Sequence, residues 1–314
     1  MVEEKVAVLD LGTNSYHLLI AKVEPHGFEE LVKRKEFVRM GAGGLTVIDE
    51  EKFSRAMNTL GRFKKLMDEY GVTRSKVYAT EGMRKASNSQ DFINEIKKLF
   101  NFDIEIIDGL REAELIYKGV REAVPLNGQK KLLMDIGGGS CEFIIANDEE
   151  IFWKNSFPIG AAVLKNKFHD YPEAIFPPDY KNLVNFLDVH LQELWQAIAE
   201  HKPKALVGAS GSFMSLVNLQ RSINTLYPIM EEKSELVNLS GFKHAHLLML
   251  KSTLDERLSI PDLESARAPM MPVATTLISL VLSKLPKIRS ITVSHYAMKE
   301  GMMAEMAKEL EFTF

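Results

Sequence analysis

The chain has 314 residues, of which 46% are apolar and 26% charged, and its net charge is −4. That apolar content excludes a disordered or fibrous chain, and the length favours two domains over one. The negative charge excludes a global basic field that would attract nucleic acid, so any anionic ligand must be bound locally.

Cysteine content and hydropathy indicate the cellular compartment in which the protein resides. The single cysteine, Cys141, excludes an intrachain disulfide framework. The first residues contain no apolar leader segment, and the longest uncharged stretches, 205–220 and 268–283, are too short to span a bilayer. We therefore expect a cytoplasmic protein without membrane contact.

Strand and helix patterns alternate through the first third of the chain, which predicts an α/β domain. The predicted strands are 6–11, 18–23, 76–80 and 104–107, and the predicted helices are 50–69, 90–100 and 110–122. Gly71 is the expected C-cap of the first helix, and Ser87 with Gln90 fits a capping box for the second. The basic run 33–35 is interpreted as the solvated face of an edge strand rather than a polyanion contact.

The second half follows a similar plan. It predicts strands at 151–157, 205–207 and 290–294, a helical stretch at 180–201, further helices to about residue 285, and a last helix at 298–310. We expect domain I to comprise 1–120 with about 298–314, and domain II to comprise 121–297. Because no linker separates the domains, the cleft between them is the expected ligand site.

An internal repeat supports this division. Residues 10–21 read DLGTNSYHLLIA and residues 135–146 read DIGGGSCEFIIA, with identities at 10/135, 12/137, 15/140, 20/145 and 21/146. Two copies of a strand, a glycine turn and a strand predict two similar α/β domains that each contribute one hairpin.

Both repeats deliver an aspartate into a turn of small residues. Such turns expose backbone N–H groups in a concave nest that binds phosphate. The candidate phosphate-binding residues are Gly12, Thr13, Asn14, Ser15, Gly137, Gly138, Gly139 and Ser140. Because a carboxylate repels phosphate unless a cation lies between them, Asp10 and Asp135 imply a Mg²⁺-like ion. For either hairpin alone, an ordinary β-turn is the alternative.

Two further candidates lie in the second half. Glu142 takes the place of His17 in the first repeat, and it either holds the metal or the attacking water, or is a surface strand residue. Ser210, Gly211 and Ser212 follow a strand and precede a helix, where orphan N–H groups form a third candidate anion site.

Glu112 and Arg84 are the candidates for acid–base chemistry and phosphate binding. On a helix over 110–122, Glu112 shares its face with Leu115, Ile116 and Gly119, so its carboxylate points at packed structure or a cleft. There it can serve as a general base, or be a first-turn carboxylate favoured by the helix dipole. Arg84 follows the end of strand 76–80, where a guanidinium can clamp phosphate or be an ordinary surface arginine.

In order and spacing, these motifs resemble the Ppx/GppA family of exopolyphosphatases and guanosine pentaphosphate phosphohydrolases. The resemblance covers the whole chain and is carried by DLGTNSYHLLI, residues 80–84, residues 106–120, DIGGGSCE and GASGS. It implies the actin-like ATPase (ribonuclease H-like) superfold, in which two similar α/β domains flank a cleft, and a homodimer.

The resemblance also implies residue roles. Glu112 would be the base for the water that attacks the terminal phosphorus, and Arg84 would bind phosphate. Asp135 and Glu142 would arrange Mg²⁺ and water, with assistance from Asp10.

Several positions depart from the family pattern, and one pair of them favours inorganic polyphosphate over guanosine pentaphosphate. Arg111 and Pro269 replace acidic residues, and the bulky pair 295–296 replaces small residues and would narrow the room for a nucleotide base. Short chains are expected, because longer members continue into helical domains. The rival hypotheses are an ATP-dependent phosphotransferase of the same superfold and a non-catalytic sensor of polyphosphate or an alarmone.

Overall fold

The structure is a computed structural model that describes residues 4–24, 27–41, 43–223, 230–231 and 233–311. Its strands, in chain order, are β1 (Lys5–Leu11), β2 (Ser15–Glu24), β3 (Gly27–Phe37), β4 (Arg74–Ala79), β5 (Ile104–Ile106), β6 (Lys131–Ile136), β7 (Cys141–Ala146), β8 (Ile151–Phe157), β9 (Leu206–Ala209), β10 (Met230–Glu231), β11 (Ser234–Asn238) and β12 (Ser290–Ser294). Its helices are α1 (Glu50–Tyr70), α2 (Glu81–Lys85), α3 (Ser89–Phe100), α4 (Gly109–Arg121), α5 (Ala161–Phe168), α6 (Pro177–His190), α7 (Gln192–His201), α8 (Ser210–Ile223), α9 (Leu239–Lys251), α10 (Leu254–Leu258), α11 (Met271–Ser283) and α12 (Met298–Glu311).

The chain divides into two compact units. Unit 1 comprises Met1–Glu122 with Ala297–Phe314, and unit 2 comprises Ala123–Tyr296. The predicted domain limits, after residue 120 and before residue 298, lie close to these bounds. That the units are independent folding domains stays a prediction.

Unit 1 is a five-stranded sheet in the order β3-β2-β1-β4-β5. Strands β1, β2 and β3 pair antiparallel, whereas β4 and β5 continue the sheet in parallel with β1. Alternate residues of β1 pack with α1 and α3 in one hydrophobic core. Helix α12 packs against β1, β2, β3 and α4, so helices cover both faces, as expected for an α/β unit.

Two glycines allow α4 and α12 to touch through their backbones. A Cβ atom on Gly119 would overlap the carbonyl oxygen of Ala297, and one on Gly301 would overlap that of Leu115. Any larger residue would force the helices apart. The position of α4, which carries Glu112, therefore depends on close contact with the last helix.

Unit 2 is a seven-stranded sheet in the order β10-β11-β12-β9-β6-β7-β8, packed by the helices from α5 to α11. The expected run of helices to about residue 285 is wrong in part, because β11 pairs antiparallel with β12. The predicted helical stretch 180–201 is two helices that meet at Leu191. With these changes, the predicted α/β class with two similar units is confirmed.

Local signals at helix ends were partly correct. Gly71 caps α1 with φ of 69°, as predicted. The capping box at Ser87 is wrong, because α3 begins two residues later and its N-cap is Asn88. The Asn88 amide bonds the backbone N–H and carbonyl of Ile48, at 2.9 and 2.8 Å, and Ser87 donates to the carbonyl of Thr46. Both side chains therefore bond residues distant in sequence and do not cap the helix.

The edge position predicted for the basic run 33–35 is confirmed, since β3 is the outer strand of its sheet. The solvated-face interpretation agrees with Lys33, whose side chain is 38% exposed, although its ammonium lies 2.7 Å from the fully buried carboxylate of Glu300. Burial acts to raise the pKa of Glu300, yet Lys299 and Lys33 hold it below its usual value. This ion cluster ties β3 to the start of α12.

A buried arginine joins three segments of unit 2. The Arg257 guanidinium donates to the carbonyls of Ala268 and Ser252, and lies 3.4 Å from Nε2 of His169. Arg257 and His169 are each 1% exposed. Burial, and then the charges of Arg257 and Lys165, lower the pKa of His169 to about 4.

No helix among the described ranges is both long and apolar enough to cross a membrane.

We expect Gly301→Ala to lower the free energy of unfolding by about 1–3 kcal/mol, because the methyl group would overlap α4. Chemical denaturation measures the loss. Gly61→Ala is the matched control, since its methyl would meet only the Phe100 ring at 3.7 Å; a helical glycine replaced there should stabilise by about 0.5–1 kcal/mol. Equal behaviour of both variants would contradict the helix contact.

We expect stability to fall as the pH decreases from 6.5 towards 4. In this range the unfolded chain protonates His169, whereas the folded protein, in which the pKa of this residue is about 4, does not. Urea unfolding at a series of pH values measures the slope. His169→Gln should reduce the slope without abolishing it, because burial also lowers the pKa of His246 to about 4, and the exposed His244→Gln should leave it unchanged; an unchanged slope in His169→Gln would refute the assignment.

Candidate functional site

The conformation of the first hairpin turn, between β1 and β2, is fixed by hydrogen bonds that its backbone carbonyl groups accept. The Gly12 N–H donates to the carbonyl of Ser15 at 3.2 Å, which closes the turn. The carbonyls of Thr13 and Asn14 accept N–H groups from residues 38–41 at 2.9–3.0 Å. Because a trans peptide directs its C=O and N–H oppositely, the N–H groups of Asn14 and Ser15 point away from residues 38–41.

The second hairpin repeats this arrangement in unit 2. The Gly137 N–H donates to the carbonyl of Ser140 at 3.0 Å. The carbonyls of residues 137–139 accept N–H groups from residues 160–163, at the start of α5, at 2.9–3.4 Å. The N–H groups of residues 138–140 therefore point to the opposite side, which is the geometry of an anion nest.

Two buried carboxylates stand directly opposite each other beside the second hairpin. Asp135 on β6 pairs with Glu142 on β7, and they are 5% and 1% exposed. Ser210 donates to Asp135 and Ser156 donates to Glu142, each at 2.7 Å. The alternative of a surface residue at Glu142 is therefore wrong. Burial, with the charges of Glu142 and Asp135, raises the pKa of the Cys141 thiol well above its usual value.

The donor set of unit 2 fits a magnesium ion. Mg²⁺ is commonly held by one or two carboxylates, with waters and substrate oxygens in the other positions, and Asp135 and Glu142 offer such a pair with two neighbouring hydroxyls. No group of three His, Cys, Asp or Glu residues suited to a metal occurs within the part of the chain that the structure describes. Asp10, the third predicted ligand, lies in unit 1.

Asp10 has charged and polar surroundings in unit 1. It pairs across the sheet with His17, whose Nε2 lies 2.9 Å from the Ser15 hydroxyl. Although burial acts to lower the pKa of Lys299, the carboxylates of Glu300 and Asp10 raise it. The Asp10 carboxylate thus interacts electrostatically with the buried ammonium group of Lys299.

Arg84 and Glu112 meet in unit 1. Both guanidinium Nη atoms of Arg84 lie 3.3–3.4 Å from Oε2 of Glu112, and its Nε donates to Glu81 at 2.9 Å. The side chains of Arg84 and Glu112 are only 20% and 12% exposed. The ordinary surface-arginine alternative is therefore wrong. Glu112 also lies in the first turn of α4, so the dipole interpretation and the base interpretation both agree with its position.

Helix α2 joins this pair to the first hairpin. A Cβ atom on Gly82 would lie 3.3 Å from the Thr13 hydroxyl. That hydroxyl is buried and has no hydrogen-bond partner among the described residues. Buried polar atoms without partners are rare and mark places where a ligand or water completes the bonding. The hairpin, the cation and the carboxylate are thus arranged around one short helix.

The third candidate segment follows β9, as predicted, but its residues 210–212 are the first turn of α8 and do not precede the helix. Ser210 has a φ of 65° and its hydroxyl bonds Asp135, so this segment adjoins the paired carboxylates. Ser212 is buried. The Arg267 guanidinium lies so close to Gly211 that a Cβ atom there would overlap it. Sequence reasoning missed Arg267, because nothing in its local pattern distinguishes it from a surface arginine.

The departures from the family pattern have structural roles. Arg111 pairs with Glu305 on α12. The His295 imidazole lies 2.8 Å from the Glu235 carboxylate on β11, and Tyr296 is buried. Their expected effect on nucleotide binding stays a prediction.

Comparison with known proteins identifies the family of this chain. The sequence model of the Ppx/GppA phosphatase family matches residues 19–310. An exopolyphosphatase from Cytophaga hutchinsonii is 38% identical, with 98% of each chain covered and a TM-score of 0.93. A Ppx/GppA family member from Aquifex aeolicus, 23% identical with 98% of each chain covered, has a TM-score of 0.78 and shows the fold alone.

A curated relative is a guanosine-5'-triphosphate,3'-diphosphate pyrophosphatase from Photobacterium profundum. It is 26% identical over 312 residues, which are 97% of this chain but only 59% of the relative. The fold expected from the resemblance, two α/β units of the actin-like superfold, is confirmed. This chain belongs to the Ppx/GppA phosphatase family.

Proposed function

We propose that this protein is an exopolyphosphatase that releases terminal phosphate from inorganic polyphosphate. The observation that carries the proposal is the contact between Arg84 and the buried carboxylate of Glu112, beside the hairpin that contains Thr13. Unit 1 then contains both a cation for the terminal phosphate and a base for the attacking water. Such positioning and charge neutralisation are the main requirements of phosphoryl transfer.

In the proposed reaction, the Arg84 guanidinium binds oxygens of the terminal phosphate, and the outward N–H groups of each hairpin bind phosphate oxygens. Glu112 takes a proton from a water molecule as the water oxygen forms a bond to the terminal phosphorus. The anhydride P–O bond breaks, its electron pair leaves with the shortened chain, and orthophosphate is released. No covalent enzyme intermediate forms.

Asp135 and Glu142 would hold Mg²⁺, with the Ser210 and Ser156 hydroxyls orienting them. When bound, the ion would neutralise charge on the phosphate oxygens. Asp10 would assist from unit 1, where Lys299 already offsets part of its charge.

The choice of substrate follows from the relatives. The Cytophaga protein, named an exopolyphosphatase, matches this chain over 98% of both lengths. The Photobacterium relative has a different named substrate, and this chain spans 59% of its length. We therefore place polyphosphate first and guanosine pentaphosphate second, and we expect short chains to be preferred.

Several further expectations belong to this proposal. We expect a homodimer in the cytoplasm and catalysis in the presence of a divalent cation. Phosphate release from short polyphosphate, long polyphosphate and guanosine pentaphosphate, each with and without Mg²⁺, tests the assignment. Transfer that needs an acceptor would favour a phosphotransferase, and tight binding without hydrolysis would favour a sensor.

We expect Glu112→Gln to lower kcat by about 10²–10⁴-fold with little change in substrate affinity, as for loss of a general base. Phosphate release from tripolyphosphate measures the effect. Glu114→Gln on the same helix is the control, because Glu114 pairs with Arg111 at 3.3 Å. Wild-type turnover in Glu112→Gln would reject the assigned base.

We expect Mg²⁺ to raise the melting temperature of the wild type, since a ligand at about 100 times its Kd adds about 2.7 kcal/mol. In Glu142→Gln this shift should largely disappear, because one of the two paired carboxylates is lost. Calorimetry in metal-free and magnesium buffers measures it, with the exposed Glu200→Gln as control. A full shift in Glu142→Gln would place the ion elsewhere.

A further inference from the structure

We infer that helix α5 sets the conformation of the second phosphate loop, residues 137–140, and that Gly160 is the positioning residue that allows it. The inference rests on the proposed function, in which this loop holds substrate phosphate. It adds an element outside the repeated hairpin to the residues on which binding depends.

The first turn of α5 uses the loop as its cap. An α-helix leaves its first N–H groups without partners, and a side chain at the N-cap usually accepts one of them. The N-cap of α5 is Gly160, which has no side chain. The N–H groups of residues 160–162 instead donate to the loop carbonyls, at 3.1 Å to Gly139, 2.9 Å to Gly137 and 3.0 Å to Gly138.

These three bonds fix three successive peptide planes. Glycine-rich loops lose much conformational freedom on folding, so their conformation needs an external constraint. With the carbonyls turned towards α5, the N–H groups of residues 138–140 are presented on the other side. The hydrogen bonds from α5 therefore determine which face of the loop presents N–H donors to an anion.

Gly160 is required by proximity rather than by its backbone angles. Its φ of −61° and ψ of 161° are accessible to any residue. A Cβ atom at this position would overlap backbone atoms of Gly138 and Gly139. Because those atoms belong to the loop backbone, an added methyl group would have to displace the loop itself.

The first hairpin does not share this dependence. Its carbonyls accept N–H groups from residues 38–41, which follow strand β3 instead of starting a helix. A substitution at Gly160 should therefore affect the second loop and leave the first unchanged.

Gly160→Ala tests the inference against Gly241→Ala as a matched control. Gly241 also lies at a helix start in unit 2, but a Cβ atom there would meet side-chain atoms, Gln220 Oε1 at 2.8 Å and Asn238 Oδ1 at 3.2 Å, and not the backbone of the phosphate loop. We expect Gly160→Ala to lower kcat/KM for tripolyphosphate by about 10²-fold, the effect of an ångström-scale misplacement. Gly241→Ala should remain within about threefold of wild type.

Amide hydrogen exchange supplies a readout independent of catalysis. In Gly160→Ala, exchange should accelerate at residues 160–162, whose N–H groups donate to the loop, and at Gly137, whose N–H closes it, while the strands of unit 2 keep their protection. A folded Gly160→Ala protein with wild-type exchange at these residues, or with wild-type kcat/KM, would overturn the inference. If the wild type neither binds nor hydrolyses tripolyphosphate, the proposed function fails, and the exchange comparison still decides the role of α5.

Ala161→Pro is the second variant, for the case in which Gly160→Ala does not fold. Proline is favoured at the first helical position, and the extended backbone of Gly160 suits the residue before it. The substitution removes the N–H that donates to Gly137 while the helix is kept. We expect faster exchange at Gly137, Gly160 and Ala162 and a fall in kcat/KM; wild-type values for both would overturn the inference.

Discussion

The candidate site depends on one constraint. The carbonyl groups of its two glycine turns accept hydrogen bonds from neighbouring backbone N–H groups. A peptide plane whose C=O is already bonded presents its N–H in a fixed direction. Residues 38–41 impose that order on the first turn, and the start of α5 imposes it on the second. Donors for an anion are thereby prepared before any ligand arrives, which reduces the ordering cost of binding.

Charge is organised differently in the two units. Unit 1 surrounds its carboxylates with cations: Arg84 contacts Glu112, and Lys33 and Lys299 contact the buried Glu300. Unit 2 places Asp135 and Glu142 opposite each other and gives each a serine hydroxyl. Buried carboxylates in such a pair favour a bound cation. Unit 1 therefore contains the proposed base with its cation, and unit 2 contains a carboxylate pair suited to a metal ion.

Much of the fold could be predicted from the sequence, because the repeat and the alternation of apolar segments report local structure directly. The hairpins, Gly71 and the burial of Glu112 follow from such patterns. Contacts distant in sequence could not be foreseen. The Asn88 side chain bonds Ile48 instead of capping its helix, and Lys33, although exposed, forms an ion pair with the buried Glu300. Strand β11 forms by pairing with β12. No local sequence pattern predicts that Arg267 lies beside Gly211. The catalytic and binding roles themselves stay predictions.

The glycine contact between α4 and α12 has a consequence for folding during synthesis. Unit 2 is one continuous segment, so all its strands are present once residue 296 has emerged from the ribosome. Unit 1 is interrupted, and the groove that Gly119 leaves on α4 is filled only when Gly301 follows. Since domains tend to fold in the order of their synthesis, the helix that carries Glu112 is completed last. A nascent chain would thus have loop 137–140 in place before Glu112 reaches its packed position.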